Sequence, residues 1–176
     1  SRVIPLVIDE NYVIQVENIC KEMGPAFKVT PYKKLKAGIV VTGSEVYKGR
    51  IKDKFGPVME KKLSYFGADI LGKTYCPDNI KDIKNSIISL KEKGANIIIV
   101  DPDDLTPGAI RQTGAKVITY GVPVQPGNMF MLSYLEGSAI LGVPGCAMFM
   151  KTTVLDAVLP RIFAGHILEK GDFISM

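Results

Sequence analysis

Three short segments of this sequence carry residue types that could do chemistry. The first is Thr42-Gly43-Ser44-Glu45, followed by Gly49 and Asp53. A glycine after a strand lets backbone N–H groups approach an anion closely, and the Thr42 and Ser44 hydroxyls add donors. Lys48, Arg50, Lys52 and Lys54 supply the opposite charge. The segment has neither the GxxxxGK[ST] pattern of a P-loop nor a GxGxxG dinucleotide fingerprint. Taken alone it reads as well as a strand-ending turn with solvated lysines. The second segment is Asp101-Pro102-Asp103-Asp104-Leu105-Thr106-Pro107-Gly108. Its carboxylates, Asp101 and Asp104 among them, could give Mg²⁺ one or two direct ligands beside phosphate oxygens. Asp103 or Asp104 could equally cap a helix opened by Pro107. The third is a pair of turns, Gln125-Pro126-Gly127-Asn128 and Val143-Pro144-Gly145-Cys146. The second of these leads into an apolar helical stretch whose N-terminus could hold an anion. Ordinary turn chemistry accounts for either one in isolation.

The elements that must position these segments alternate in type. Residues 37–41 (AGIVV) and 96–100 (NIIIV) are continuous apolar runs, as expected of strands buried on both faces. A helix is predicted around Pro57, with Phe55, Met59, Leu63 and Phe66 at helical spacing and Gly67 at its end. Residues 69–75 form a second strand. Residues 80–93, with Ile80, Ile83, Ile87 and Leu90 on one face, form a helix closed by Gly94. A short helix over 105–113, strands over 116–120, 129–135 and 138–143, and a long final helix over 146–163 complete the pattern. Strands alternating with helices imply an α/β fold, a three-layer α/β/α sandwich with a mostly parallel sheet. In such folds ligands bind beyond the carboxyl ends of the strands, which is where all three segments fall. Ahead of this unit, residues 3–8 read as extended. Asp9 is placed to cap a helix running to Met23, stopped by Gly24-Pro25. Residues 1–34 are expected to be an arm and linker, and residues 35–170 the functional domain.

The chain has 176 residues, 47% hydrophobic and 23% charged, with a formal charge of +4. These values exclude a disordered or low-complexity chain. Between Lys28 and Lys62 stand ten Lys/Arg and three Asp/Glu, so the charge is concentrated beside the first glycine turn. That suits a small phosphorylated ligand better than a nucleic acid, which calls for a basic face interleaved with aromatics. Cys20, Cys76 and Cys146 are widely spaced, odd in number and without metal-ligand spacing, and His166 is the single histidine. A disulfide framework and a structural zinc site are not expected, and a reducing cytoplasm is the natural setting. The longest near-apolar run, 139–150, is interrupted by Pro144 and is too short to span a bilayer. No signal peptide is read in the chain, and with Ser1 as its first residue it is expected to be part of something longer.

The combination of segments is more specific than its parts. A strand–TGSE–x₇–Asp segment, a strand–acidic–DLTP segment, a Pro-Gly turn and a Gly-Val-Pro-Gly turn occur in this order. The sequence resembles the molybdopterin-binding domain shared by molybdopterin adenylyltransferases, molybdopterin molybdotransferases, gephyrin and competence-damage-type proteins, over residues 35–163. The resemblance implies that Thr42, Gly43, Ser44 and Glu45 form one wall of a pocket and that Pro126-Gly127 and Pro144-Gly145 close its floor. It implies that Asp53 and Asp104 are the catalytic acidic pair, linked with metal handling, to which the acidic segment read above adds Asp101 as a metal ligand. The implied ligand is molybdopterin, a small pterin phosphate, in molybdenum-cofactor biosynthesis. Adenylyl transfer from ATP with Mg²⁺, or molybdate insertion, are the reactions the family offers. A non-catalytic sensor or carrier module of a longer protein, or a competence-damage-type nucleotide-processing domain, are the alternatives. A homo-oligomer, dimer or trimer, is implied, with neither nucleic acid nor membrane as partner. Three departures stand out. Cys146 and Asn128 replace the residues usual after the two Pro-Gly pairs. The family's T-G-G-type loop between the third strand and the acidic segment has no counterpart here, so an additional connector is expected between Val100 and Asp101.

Overall fold

The computed structural model describes residues 7–102 and 104–174. They fall into two compact units divided between Pro31 and Tyr32. The first contains α1 (Glu10–Met23), with the predicted bounds. The Asp9 carboxylate accepts from Asn11 N–H at 2.8 Å and caps its start, and Gly24 at φ +73° ends it. None of its residues is buried. Residues 3–6 of the expected extended segment lie outside the described residues, and Val7 and Ile8 form no strand.

In the second unit the elements run β1 (Lys36–Thr42), α2 (Ser44–Tyr47), α3 (Phe55–Tyr65), β2 (Asp69–Cys76), α4 (Ile80–Glu92), β3 (Ile97–Val100), α5 (Thr106–Gln112), β4 (Lys116–Tyr120), β5 (Met131–Leu135) and β6 (Ser138–Gly142). A 3₁₀ turn over Gly145–Met148, α6 (Val154–Phe163) and α7 (Lys170–Ile174) follow. The strands form one six-stranded sheet in the order β2-β1-β3-β6-β5-β4. The first four are mutually parallel, and β6-β5-β4 is antiparallel. The β5–β6 connection is the two-residue turn Glu136-Gly137, both at positive φ (47° and 83°), a geometry that matches the right-handed twist of the flanking strands.

The apolar runs form strands because both faces of the sheet are covered. Ala37, Ile39, Val41, Ile97 and Ile99 pack with Phe55, Met59 and Leu63 of α3 and with α6. Val40, Ile98 and Val100 pack on the other side with Ile83, Ile87 and Leu90 of α4 and Ile110 of α5. Gly38 interrupts the run for a packing reason: a Cβ there would lie 2.8 Å from Leu90 Cδ1, so the glycine lets α4 sit close over β1.

Two expectations change. The final helix is divided in two. Phe149 and Met150 N–H both donate to the Cys146 carbonyl and close a turn. A new helix then starts at Val154, where Thr153 and Asp156 cap each other reciprocally, Thr153 N–H donating to Asp156 Oδ2 at 2.8 Å. The Pro144-Gly145 turn therefore opens a four-residue 3₁₀ segment rather than a long helix. The connector expected between Val100 and Asp101 is also absent, and the chain passes directly from β3 into the acidic segment. Asp101 N–H donates to the Val40 carbonyl at 2.9 Å, and Val143 N–H donates to the Val100 carbonyl at 3.1 Å. The buried Thr106 hydroxyl donates to the Asp101 carbonyl at 2.9 Å. These bonds satisfy the strand end and turn the chain into α5 without additional residues.

Ser133 on β5 is fully buried, and its hydroxyl has no hydrogen-bond partner among the described residues. An unpaired buried hydroxyl carries its desolvation penalty without compensation. Ser133→Ala is expected to leave the unfolding midpoint unchanged or raise it in thermal denaturation. A lowered midpoint would show that the hydroxyl is partnered.

Candidate functional site

Because β2, β1, β3 and β6 are parallel, the segments after them emerge at one edge of the sheet. These are 43–54 after β1, 77–79 after β2, 101–105 after β3 and 143–150 after β6. The antiparallel pairing of β5 with β6 sets Met131 beside Gly142, so the 121–130 loop reaches the same edge. The chain leaves β1 for β2 on one side and returns across β1 to β3 on the other. This reversal between β1 and β3 is the position where doubly wound sheets open a crevice for ligands. Thr42–Glu45 stands on one side of it and Asp101–Asp104 on the other. Asp103 lies outside the described residues.

The nominated residues separate into three local arrangements. In the first, Gly43 turns the chain at φ +126°. Ser44 N–H donates to Asp78 Oδ2 at 2.8 Å, so a carboxylate of this chain already takes the first amide of the turn. Glu45 and Arg50 make an exposed ion pair at 3.4 Å. The charges of Lys48, Lys52 and Lys54 point to solvent, as all three residues are exposed.

The second arrangement surrounds Asp53, whose side chain is 9% exposed. Its Oδ1 accepts from Gly56 N–H in the first turn of α3 at 2.8 Å, a capping contact. Its Oδ2 accepts from the Tyr75 hydroxyl at 3.0 Å and pairs with Lys73 Nζ at 3.2 Å. Lys73 also pairs with Glu60 of α3 at 3.2 Å, and its ammonium stands 5.7 Å from the Tyr75 ring centre. Lys73 and Tyr75 alternate along β2 opposite Ile39 and Val41, which places them on the α3 side. Burial alone would pull the Lys73 ammonium down in pKa. The hydrogen bonds to Tyr75, Asp53 and Glu60 outweigh it and hold the group well above the usual lysine range. Gly56 makes this packing possible, since a Cβ there would lie 2.3 Å from Asp53 Oδ2 and 2.5 Å from Lys73 Cδ.

The third arrangement is a hollow of about 160 Å³ beyond β3 and β6, lined by Pro102, Asp104, Tyr120, Met129, Val143 and Pro144 among others. Arg111 stacks over Tyr120 at 5.4 Å and brings a positive charge to its rim. Asp104 is exposed, and it does not cap α5: Leu105 holds the cap position, with no side-chain cap bond. Complete small-molecule sites enclose roughly 300–1,000 Å³, so this hollow holds only part of a pterin-sized ligand. The Pro126-Gly127 turn lies against α6 instead: Val154 N–H donates to the Pro126 carbonyl at 3.3 Å, and a Cβ on Gly127 would come within 3.2 Å of Val154. A larger groove of about 870 Å³ runs between α3 and α6 past Tyr65, Phe66 and Met148, and none of the nominated residues lines it.

Sequence reasoning missed Lys73, Tyr75, Gly56, Asp78, Tyr120 and Arg111. The one available signal was Lys73 itself, a lysine in mid-strand. As for a metal, Asp53 is engaged by Lys73, and the described residues hold no group of three or more His, Cys, Asp or Glu side chains arranged for an ion. The Mg²⁺ that the resemblance implies therefore finds no ready set of protein ligands among them. No helix of the described residues is long and apolar enough to cross a membrane.

Three outcomes follow from this geometry. Gly56→Ala should push Asp53 and Lys73 apart and lower stability by about 1–3 kcal/mol in urea denaturation. Gly108→Ala, whose Cβ meets only Ile80 Cδ1 at 3.5 Å, should be neutral or stabilising. Burial pushes the Cys76 thiol up to about 11, whereas Cys20 is exposed. At pH 8 a thiol reagent should therefore modify Cys20 rapidly and Cys76 only after unfolding.

Comparison with known proteins supplies the rest. Residues 38–164 match the family model described as "Probable molybdopterin binding domain". A CinA-like protein of Mycobacterium sp. (strain MCS) is 35% identical over 90 residues, 47% of this chain and 21% of that protein. The chain thus spans about a fifth of the length of such relatives. Among solved structures, the tungsten cofactor synthesizing protein MoaB from Pyrococcus furiosus superposes with a TM-score of 0.61 at 17% identity, covering 74% of this chain and 94% of that one. The protein CinA from Thermoplasma acidophilum superposes with a TM-score of 0.58 at 15% identity, covering 73% and 98%. At these identities the structures establish the fold, and the family rests on the sequence model. With the motif order, the β1/β3 reversal and that match in agreement, the chain belongs to the molybdopterin-binding-domain family.

Proposed function

We propose that this domain binds molybdopterin, or its adenylylated form, at the carboxyl edge of the parallel strands. The ligand would lie across the β1/β3 crevice, between the Thr42–Glu45 turn and the hollow at Asp104, Tyr120 and Pro144. The observation that carries this reading is the gathering of the nominated segments at the point where strand order reverses. In this reading Pro144-Gly145 offers close backbone approach, Tyr120 an aromatic face, and Arg111 with the exposed lysines of 48–54 the charge that attracts a phosphate. Pro126-Gly127 supports the edge through α6. Asp104 is the exposed carboxylate facing the ligand, in the position of the family's acidic residue.

A competence-damage-type, nucleotide-processing role is the second reading, favoured by the CinA-like match. One experiment separates the two. Pterin fluorescence is titrated with the protein under reducing conditions, with and without MgATP, while pyrophosphate release and nucleotide turnover are followed. Saturable pterin quenching supports the first reading, and pyrophosphate release with it adds adenylyl transfer. Nucleotide turnover without any pterin binding supports the second.

Gly145 provides a sharper test. Its φ is ordinary, and a Cβ there would meet only Pro102 Cγ at 3.6 Å and Met148 Cε at 3.8 Å. The fold therefore does not require a glycine. Gly145→Ala should leave the unfolding midpoint unchanged while weakening pterin binding about tenfold or more, roughly 1.4 kcal/mol. Unchanged affinity would remove this turn from the ligand site.

A further inference from the structure

We infer that Lys73 is a built-in cation at this site and that its ammonium stands where a divalent ion held by Asp53 would have to sit. The inference concerns the chain's own side chains and holds whichever ligand the crevice takes. Lys73 Nζ is 3.2 Å from Asp53 Oδ2 and 3.2 Å from Glu60 Oε1, so it bridges two carboxylates from different elements. That is the midpoint an ion shared by the two would occupy. The remaining contacts of Asp53 close the approach. Gly56 N–H takes Oδ1 at 2.8 Å and the Tyr75 hydroxyl takes Oδ2 at 3.0 Å. Three of the roughly four lone-pair positions of the carboxylate are thus filled, and the rest lies beside a full positive charge. Magnesium keeps several of its waters and needs near-octahedral space. Here the packing is too tight even for a methyl group on Gly56. The Lys73 side chain is 19% exposed, and its ammonium is committed to both carboxylates at once.

A lysine in this position does part of what a divalent ion would do: it neutralises Asp53 and Glu60 and fixes their orientation. It leaves a net single negative charge on the trio and no open coordination position. Lys73 is a positioning residue in this sense, acting through Asp53.

The test measures Mn²⁺ binding to the full chain by electron paramagnetic resonance, which needs no pterin and so fails independently of the proposed function. Wild type should show no Mn²⁺ site that Asp53→Asn removes. Lys73→Ala empties the space between the two carboxylates and should gain one Mn²⁺ with at least tenfold tighter binding, lost again in Lys73→Ala/Asp53→Asn. Lys73→Arg, which keeps the charge, should behave as wild type. Circular dichroism confirms that each variant is folded, and Lys73→Ser serves in place of the alanine variant if that one is not. A wild-type Mn²⁺ site abolished by Asp53→Asn overturns the inference, as does a folded Lys73→Ala or Lys73→Ser protein that gains no binding.

Discussion

The position of β1 at the centre of the parallel half of the sheet is the constraint on which the rest of the molecule depends. This strand pairs with β2 on one side and β3 on the other, and every residue from Ala37 to Thr42 is buried. Such burial requires a helix layer on each face, and the chain supplies α3 with α6 on one and α4 with α5 on the other. Each helical crossover then returns the chain to the same end of the sheet, which brings the polar turns together at one edge. Gly38 shows how tight the arrangement is, because a Cβ there would meet the Leu90 side chain of α4.

Charge at that edge is organised by local pairing rather than by a broad field. The concentration of lysines and arginine near the first glycine turn looks in sequence like one basic surface. In the fold it divides. Arg50 is paired with Glu45, Lys62 with Asp156, and the lysines at 48, 52 and 54 face solvent. The lysine with the firmest electrostatic role, Lys73, lies outside that stretch and reaches the edge from β2. Exposed pairs such as Glu45–Arg50 contribute little to stability. The Asp53–Lys73–Glu60 trio contributes chiefly by neutralising Asp53, whose side chain is only 9% exposed.

Much of the architecture was legible because it rests on local rules. The apolar runs of β1 and β3 announce strands covered on both faces, and the 3.6-residue spacing of Ile80, Ile83, Ile87 and Leu90 announces α4. The order of TGSE, DLTP and the two Pro-Gly turns is enough to indicate the family. Elements whose existence depends on a few capping bonds were not legible. The break before α6 comes from the Thr153–Asp156 capping box and from the Pro126 carbonyl reaching Val154, a contact between distant parts of the chain. That β3 can pass into the acidic segment without a connector likewise rests on bonds to β1 and β6, which no local pattern displays.

The sequence by itself determined the layers, the strand ends at which ligands gather and the family, because these follow from hydrophobic periodicity and from turn residues that act within a few positions of themselves. Only the tertiary structure decided what each polar residue does there. Asp53 reads in sequence as a catalytic, metal-handling carboxylate, and in the fold it is bound to Lys73 and Tyr75, about twenty residues along the chain, and to the Gly56 amide. The physical reason is that a carboxylate's partners are set by which side chains the crossovers bring within hydrogen-bond reach, and that information is not local to any stretch of sequence.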